Sequence, residues 1–196
     1  MKILLKTKNA FSILFIAICC AAPVTAQQAK ISTAAEIKED INLNVCKNAD
    51  RLESVRKLFV KMGAAEKDIK IEKIKDVENL VVVHKGKSEE IVVVGAHYDK
   101  VADGCGAIDN WTGIVILANI YRTLKDFDTQ KTYIFAAFGK EELGLLGSDE
   151  MARSIPKEKR SNYCAMVNFD SFGFAYPQAM TNISDPKLIE LAKEVS

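Results

Sequence analysis

The sequence predicts an α/β fold, a three-layer α/β/α sandwich around a mixed, mostly parallel central sheet. Two observations carry this. Three short runs, 91–96, 132–138 and 164–169, are dense in valine, phenylalanine and alanine with little polar alternation, as strands covered on both faces are. Helically spaced stretches lie between them, so strand and helix alternate as in layered α/β domains.

Taken in order, residues 33–45 place Ile37, Ile41 and Val45 at helical spacing, with Ser32 or Thr33 as the cap. A second helix starts near Asp50, carries Leu52, Val55, Leu58, Phe59 and Met62 as its apolar stripe, and stops at Gly63. Both helices read as packing elements without chemistry. Residues 69–75 alternate Ile69, Ile71 and Ile74 with charges, which suits an edge strand or hairpin arm. Residues 79–84 form a stronger strand, 85–88 (Lys-Gly-Lys-Ser) a turn, and 90–96 a strand returning antiparallel to 79–84. Residues 112–124 put Ile114, Leu117, Ala118, Tyr121 and Leu124 on one helical face. A short helix is expected around 148–154 with Ser148 as its cap, then the third buried strand at 164–169. Pro186 opens an amphipathic helix that is still running at Ser196.

Residues 1–26 stand apart from the fold. Lys2, Lys6 and Lys8 precede an apolar stretch from Ala10 to Ala22, and Val24-Thr25-Ala26 resembles a cleavage site, so this segment reads as a removable export signal. The stretch is short for a bilayer span. The residues before Cys19 and Cys20 suit lipid attachment poorly. The expected location is therefore periplasmic or extracellular, with one domain over 27–196 and no stable membrane association. Without the leader, 27 basic residues fall to 24 against 26 acidic ones. That balance, with no basic block, argues against a nucleic-acid partner. The cysteines left are Cys46, Cys105 and Cys164; at most one pair can join, and spacing does not choose it.

The chemistry collects at strand ends. His97 and Asp99 follow the first buried run, Asp109 lies in the loop after it, Glu141 and Glu142 follow the second run, and Asp170 follows the third. In open α/β sheets that is the end where ligands bind. One imidazole with several carboxylates is a mixed N/O donor set that zinc accepts. Any one of these residues is ordinarily a cap or a solvated loop side chain; three buried strands ending this way are harder to explain so. Trp111 suits a pocket wall or simple packing, Cys105 reads as an exposed loop thiol, and Tyr98 and Tyr176 are candidate substrate contacts.

The segments Gly95-Ala96-His97-Tyr98-Asp99, Gly106-Ala107-Ile108-Asp109-Asn110-Trp111-Thr112-Gly113, 138–148 (Phe-Gly-Lys-Glu-Glu-Leu-Gly-Leu-Leu-Gly-Ser) and Asn168-Phe169-Asp170 resemble, in order and spacing, the motifs of metallopeptidase family 28. Its members include secreted co-catalytic di-zinc aminopeptidases. The resemblance implies a zinc aminopeptidase-like sandwich that acts on peptides. Asp109 would bridge two zincs, His97 and Asp170 would complete one of them, and Glu142 would bind the other. Glu141 would be the general base, and Asp99 would orient His97 through its second nitrogen. The Asp109–Asn110 peptide would be cis. The Glu-Glu pair followed by Gly-Leu-Leu-Gly-Ser favours an aminopeptidase over a glutaminyl cyclase-like single-zinc enzyme.

One departure is plain. The family pattern needs a second histidine late in the domain, beside Glu142, and this sequence holds only two histidines, His97 and His84. At about 3.3 Å per residue along a hairpin, His84 lies on the order of 20 Å from His97. It cannot serve. The expectation is a chain cut short within a longer enzyme, its last strands absent and an apolar sheet edge exposed. It would have one well-held zinc on His97, Asp109 and Asp170 and a weak second site. Activity would be low, and a catalytically incomplete binding domain is the competing reading.

Overall fold

The computed structural model describes residues 28–194; the export signal expected at 1–26 lies outside them. A five-stranded sheet forms the middle layer: β1 (Ile69–Ile74), β2 (Val77–His84), β3 (Ile91–His97), β4 (Thr132–Phe138) and β5 (Tyr163–Asn168). Their order across the sheet is β1-β2-β4-β3-β5. β3 runs parallel to both neighbours, whereas β2 is antiparallel to β1 and to β4. Four strands therefore share one direction and only β2 opposes it, so the expected mixed, mostly parallel α/β sandwich is what forms.

The expected hairpin between β2 and β3 does not form, because β4 lies between them. The chain from 85 to 90 instead crosses the start of β4. Gly86 N–H donates to Thr132 Oγ1 at 3.1 Å, and Lys87 and Ser88 donate to the Thr129 and Gln130 carbonyls at 3.1 and 2.8 Å. Those donors would otherwise have closed a two-strand turn. β1 is the edge hairpin arm read from its alternation, paired with β2 from Ile74–Val77 to Ile69–Val82.

Helices α1 (Ala34–Ile41), α2 (Asn48–Lys61) and α3 (Gly113–Leu124) cover one face. Val55, Leu58 and Phe59 from α2 meet Ile114, Leu117 and Tyr121 from α3 over Leu80, Val94 and Phe135 of the sheet. Tyr121 stands edge-on to Phe135 at 5.3 Å and tilts over Phe59 at 5.6 Å, the spacing aromatic quadrupoles favour. α1 stops at Ile41, one turn before Val45, the last residue read into that helix; Asn42 caps it and donates back to the Lys38 carbonyl. Thr33 and Glu36 close a reciprocal capping box at its start. Asp40, at its end, is buried but satisfied: Lys61 Nζ lies 2.6 Å away, Asn119 donates at 3.2 Å, and Trp111 Nε1 donates to its carbonyl at 3.0 Å. Trp111 is thus a core residue and not a pocket wall.

The opposite face is thinner. α4 (Leu146–Ser154) sets Met151 against Val81, Val93, Ile134 and Phe138. Ser148 lies inside this helix, its hydroxyl donating to the Leu145 carbonyl, so it is not the cap. β5 was expected to be buried and is not. It is the outer strand, with Met166 and Val167 46% and 42% exposed, because among the described residues β3 is its only partner. α5 (Pro186–Glu194) buries none of its residues. No helix among the described residues is long and apolar enough to cross a membrane.

Candidate metal centre

His97 is the last residue of β3, paired with Phe138 at the end of β4, and the ladder runs one bond further from Tyr98 N–H to the Phe138 carbonyl at 2.9 Å. The register places the loops after β3, β4 and β5 side by side at one sheet end. Gly95 permits the close approach: a Cβ there would come within 2.6 Å of the Phe138 ring. His97 itself is buried.

Its two ring nitrogens face different partners. Nδ1 lies 3.2 Å from the Asp99 carbonyl oxygen and 3.6 Å from Asp99 Oδ1. Nε2 points into a ring of carboxylates: Asp109 Oδ1 at 3.0 Å, Glu141 Oε2 at 3.7 Å and Asp170 Oδ1 at 3.7 Å. Asp99 does more than face the histidine. Its carboxylate accepts the backbone N–H of Glu141 at 2.9 Å and of Glu142 at 3.2 Å, hooking the loop after β4 onto the loop after β3.

The Asp109–Asn110 peptide is cis, within the wide turn Ala107–Thr112 that leads into α3. Asn110 is fully buried and clasps the residues on either side of Asp170. Its Nδ2 donates to the Phe169 carbonyl at 2.8 Å, and its Oδ1 accepts from Ser171 N–H at 3.2 Å and Gly113 N–H at 3.0 Å. Gly113 has to be glycine, since a Cβ there would strike the Asn110 side chain and the Phe169 carbonyl. One side chain therefore fixes Asp109 and Asp170 relative to each other.

The electrostatics follow from crowding. Burial opposes charge on His97, but hydrogen bonds to Asp170 and Asp99 and the charges of Glu141 and Asp170 outweigh it, and its pKa is pushed up to about 10. The Asp170 carboxyl is held below the usual range chiefly by His97. Asp99 is pulled down despite its burial, by His97 and by the two backbone N–H groups. Burial raises Glu141, with Asp170, Glu142 and Asp99 adding to it. Burial also raises Glu142, with Asp109 the leading neighbour.

The donor set fits a metal ion. Two overlapping groups, His97 with Glu141 and Asp170, and His97 with Asp109 and Glu142, each offer ligand atoms within 4.8 Å of one another. No lysine or arginine pairs with any of these carboxylates among the described residues. Glu142 Oε1 is buried with no hydrogen-bond partner, a costly arrangement that a cation would relieve. The expected site residues gather around His97, but in other sets than the expected His97–Asp109–Asp170: Asp170 falls with Glu141, and Asp109 with Glu142. Glu141 approaches Nε2 as closely as Asp170 does, which the resemblance alone does not suggest.

Several other sequence expectations change. Cys105 is no free thiol, because it is joined to Cys46; among the described residues Cys164 is free and exposed. Tyr98 is buried with its hydroxyl on the Glu78 carbonyl at 2.8 Å, so it faces the sheet and not a substrate, while Tyr176 is 92% exposed. His84 lies level with Tyr133 near the far end of β4, its Nε2 2.9 Å from the Phe127 carbonyl oxygen.

Two residues escaped the sequence reading. Asn110 sat inside a motif without a role. Arg51, in α2, is fully buried and donates to carbonyls beneath the site. Its signal was visible: it falls four residues before Val55, on the apolar stripe of a helix read as mere packing.

The fold and the site together define an α/β sandwich with a cluster of imidazole and carboxylate donors at its strand ends. The chain belongs to peptidase family M28, whose family model matches residues 79–196. It is 34% identical over 105 residues to aminopeptidase YwaD of Bacillus subtilis, covering 52% of this chain and 23% of that protein. With aminopeptidase Y of Saccharomyces cerevisiae it shares 33% over 103 residues, 53% of this chain and 19% of that one. A probable zinc metalloprotease of Pyrenophora tritici-repentis is 29% identical over 126 residues, 59% of this chain and 28% of its own. The matched region thus spans about a quarter of the length of these relatives. Among solved structures, LapB of Legionella pneumophila shares the fold with a TM-score of 0.60 and 22% identity, over 82% of this chain and 51% of that one. A glutaminyl cyclase of an Acidobacteriales bacterium does so with a TM-score of 0.67 and 16% identity, over 86% and 71%.

Proposed function

We propose that this chain carries the zinc centre of an exported aminopeptidase, which releases N-terminal residues from peptides. The observation that carries the reading is the unpartnered, buried Glu142 Oε1 within a cluster of acids around one imidazole. The relatives named as aminopeptidases and as a zinc metalloprotease point the same way.

His97, Asp109 and Asp170 would hold one ion, and Glu142, sharing Asp109, a weaker second. Zinc bound there supplies a Lewis acid that polarises the scissile carbonyl and makes water a nucleophile near neutral pH. The residues do the rest. Glu141 takes a proton from the attacking water as its oxygen bonds to the carbonyl carbon, and gives that proton to the amine nitrogen as the C–N bond breaks. Asp99 keeps both glutamates in register through their backbone N–H groups.

Residues 1–26 would direct export and leave one peptidase domain from residue 27 onward. The Cys46–Cys105 disulfide supports an oxidising compartment. The test is turnover of aminoacyl anilides and of a peptide with N-terminal glutamine, with zinc and with a chelator. Free amino acid that appears only with metal, and that falls by about 10²–10⁴ in Glu141→Gln, supports the reading. A pyroglutamyl product would assign a cyclase instead. Tight zinc binding with no turnover of any peptide would leave a metal-binding domain and sink the peptidase proposal.

A further inference from the structure

We propose that Arg51 is a positioning residue for the metal centre: from the apolar stripe of α2 its guanidinium sets the gap between the His97–Asp99 segment and the Asp109 turn. The inference rests on the metal reading above.

Three stretches of chain meet at this one side chain. Arg51 Nε donates to the Tyr98 carbonyl, the peptide oxygen between His97 and Asp99. Nη1 donates to Cys105 O at 3.0 Å, Val45 O at 3.0 Å and Asn44 Oδ1 at 2.8 Å, and Nη2 donates to Gly106 O at 3.1 Å. Gly106 O also accepts Trp111 N–H at 3.1 Å, so the bonds bracket Asp109 on both sides. The Trp111 ring lies 5.6 Å from the guanidinium carbon, with the charge over its face.

The contacts leave little slack. Gly106 has a left-handed φ of +55°, and a Cβ on it would lie 2.8 Å from the Asp109 carbonyl oxygen and 3.2 Å from Arg51 Nη1. Asn48, one turn earlier on α2, repeats the arrangement beside it. Its Nδ2 donates to Lys100 O at 2.8 Å while its Oδ1 accepts Lys100 N–H at 3.0 Å. The disulfide fastens Cys105 to the chain just before α2.

Packing alone does not call for this residue. A buried arginine with no carboxylate partner is costly, whereas an aliphatic side chain would fill the α2 stripe. A planar five-donor fork reaches all five acceptors in these three segments, whereas lysine offers three donors from a single point. The charge also acts electrostatically on Asp99 and Asp109 and offsets the mutual repulsion of the acids while no ion is present. Losing an outer partner of a metal site typically weakens affinity by about 10–100-fold.

The experiment measures zinc affinity of the full chain by competition with a chromogenic chelator, together with the visible spectrum of the cobalt-loaded protein. Wild type, Arg51→Lys and Asn48→Ala are compared, and far-UV circular dichroism checks folding. Arg51→Lys is expected to weaken zinc about tenfold or more and to alter the cobalt bands; Asn48→Ala, which removes a reciprocal pair only, is expected to weaken zinc about threefold. A folded Arg51→Lys protein with zinc affinity within about twofold of wild type and unchanged cobalt bands overturns the proposal, even if it melts earlier. Should Arg51→Lys not fold, Arg51→Gln, which keeps two donors without the charge, decides by the same two readouts. A wild-type chain that binds neither metal overturns the metal reading itself; variants that match a metal-binding wild type overturn only the role of Arg51.

Discussion

The two ends of the sheet's ligand row are held very differently. On the β3–β4 side, His97 sits on an inner strand over a core of α2 and α3 side chains, and the loop behind it is fixed by Arg51, Asn48 and a disulfide. On the β5 side, Asp170 follows an outer strand whose apolar residues face solvent, and Asn110 is its main tether. The difference teaches that a cluster of donor side chains need not be equally rigid throughout. One half is built into the core, and the other is carried on the least buried strand, held by the Asn110 amide and by the Phe169 N–H bond to the Gly95 carbonyl at 2.9 Å.

The sharpest test compares side-chain truncations on the two sides. Phe135→Ala empties a fully buried position against Tyr121, and should cost about 3–5 kcal/mol in urea unfolding. Val167→Ala on β5, 42% exposed, should cost less than about 1 kcal/mol. Similar losses at the two positions would erase the contrast. Next in size is the effect of the ion. Zinc at a hundred times its dissociation constant should stabilise the fold by about 2.7 kcal/mol. If Asp170 is a ligand, hydrogen exchange in 163–170 should slow on adding zinc, since opening β5 would then break a metal bond. Exchange in 163–170 that ignores zinc would remove Asp170 from the site.

This contrast also explains what could be read from the sequence. Apolar runs located β3 and β4 well, because a strand buried on both faces leaves a continuous signature. The same signature misled at 164–169, where Met166 and Val167 are apolar yet exposed: composition reports what a strand could bury, not what covers it. Strand order was equally hidden. The turn at 85–88 has hairpin chemistry, and only long-range pairing of β4 with both β2 and β3 separates those two strands. At the site, side chains that end strands were legible as donors. Asn110 was not, and Arg51 showed only as a charge on an apolar stripe, because both act on backbone groups distant in sequence and their partners leave no local pattern.

Small effects belong also to the start of α1, on the well-packed side. Thr33→Ala removes the side chain that accepts Glu36 N–H and should cost about 1 kcal/mol in urea unfolding. Its partner supplies a pH dependence with a definite sign. The Thr33 backbone N–H, the Arg122 guanidinium and the Thr33 hydroxyl hold the Glu36 carboxyl down at about 2, against an ordinary value of 4.5. A group depressed on folding contributes stability that is fully present above its unfolded pKa and is lost as pH falls through the folded one. That window runs from pH 4.5 down to about 2 for Glu36. The difference in urea midpoint between wild type and Glu36→Gln should therefore be constant near neutrality and shrink as the pH drops through that window. Solvent screens this exposed group, so the change should be the least of those named here. A difference that grows on acidification would mean that Glu36 is not held by its cap, and that α1 is fastened through Asp40 and Trp111 alone.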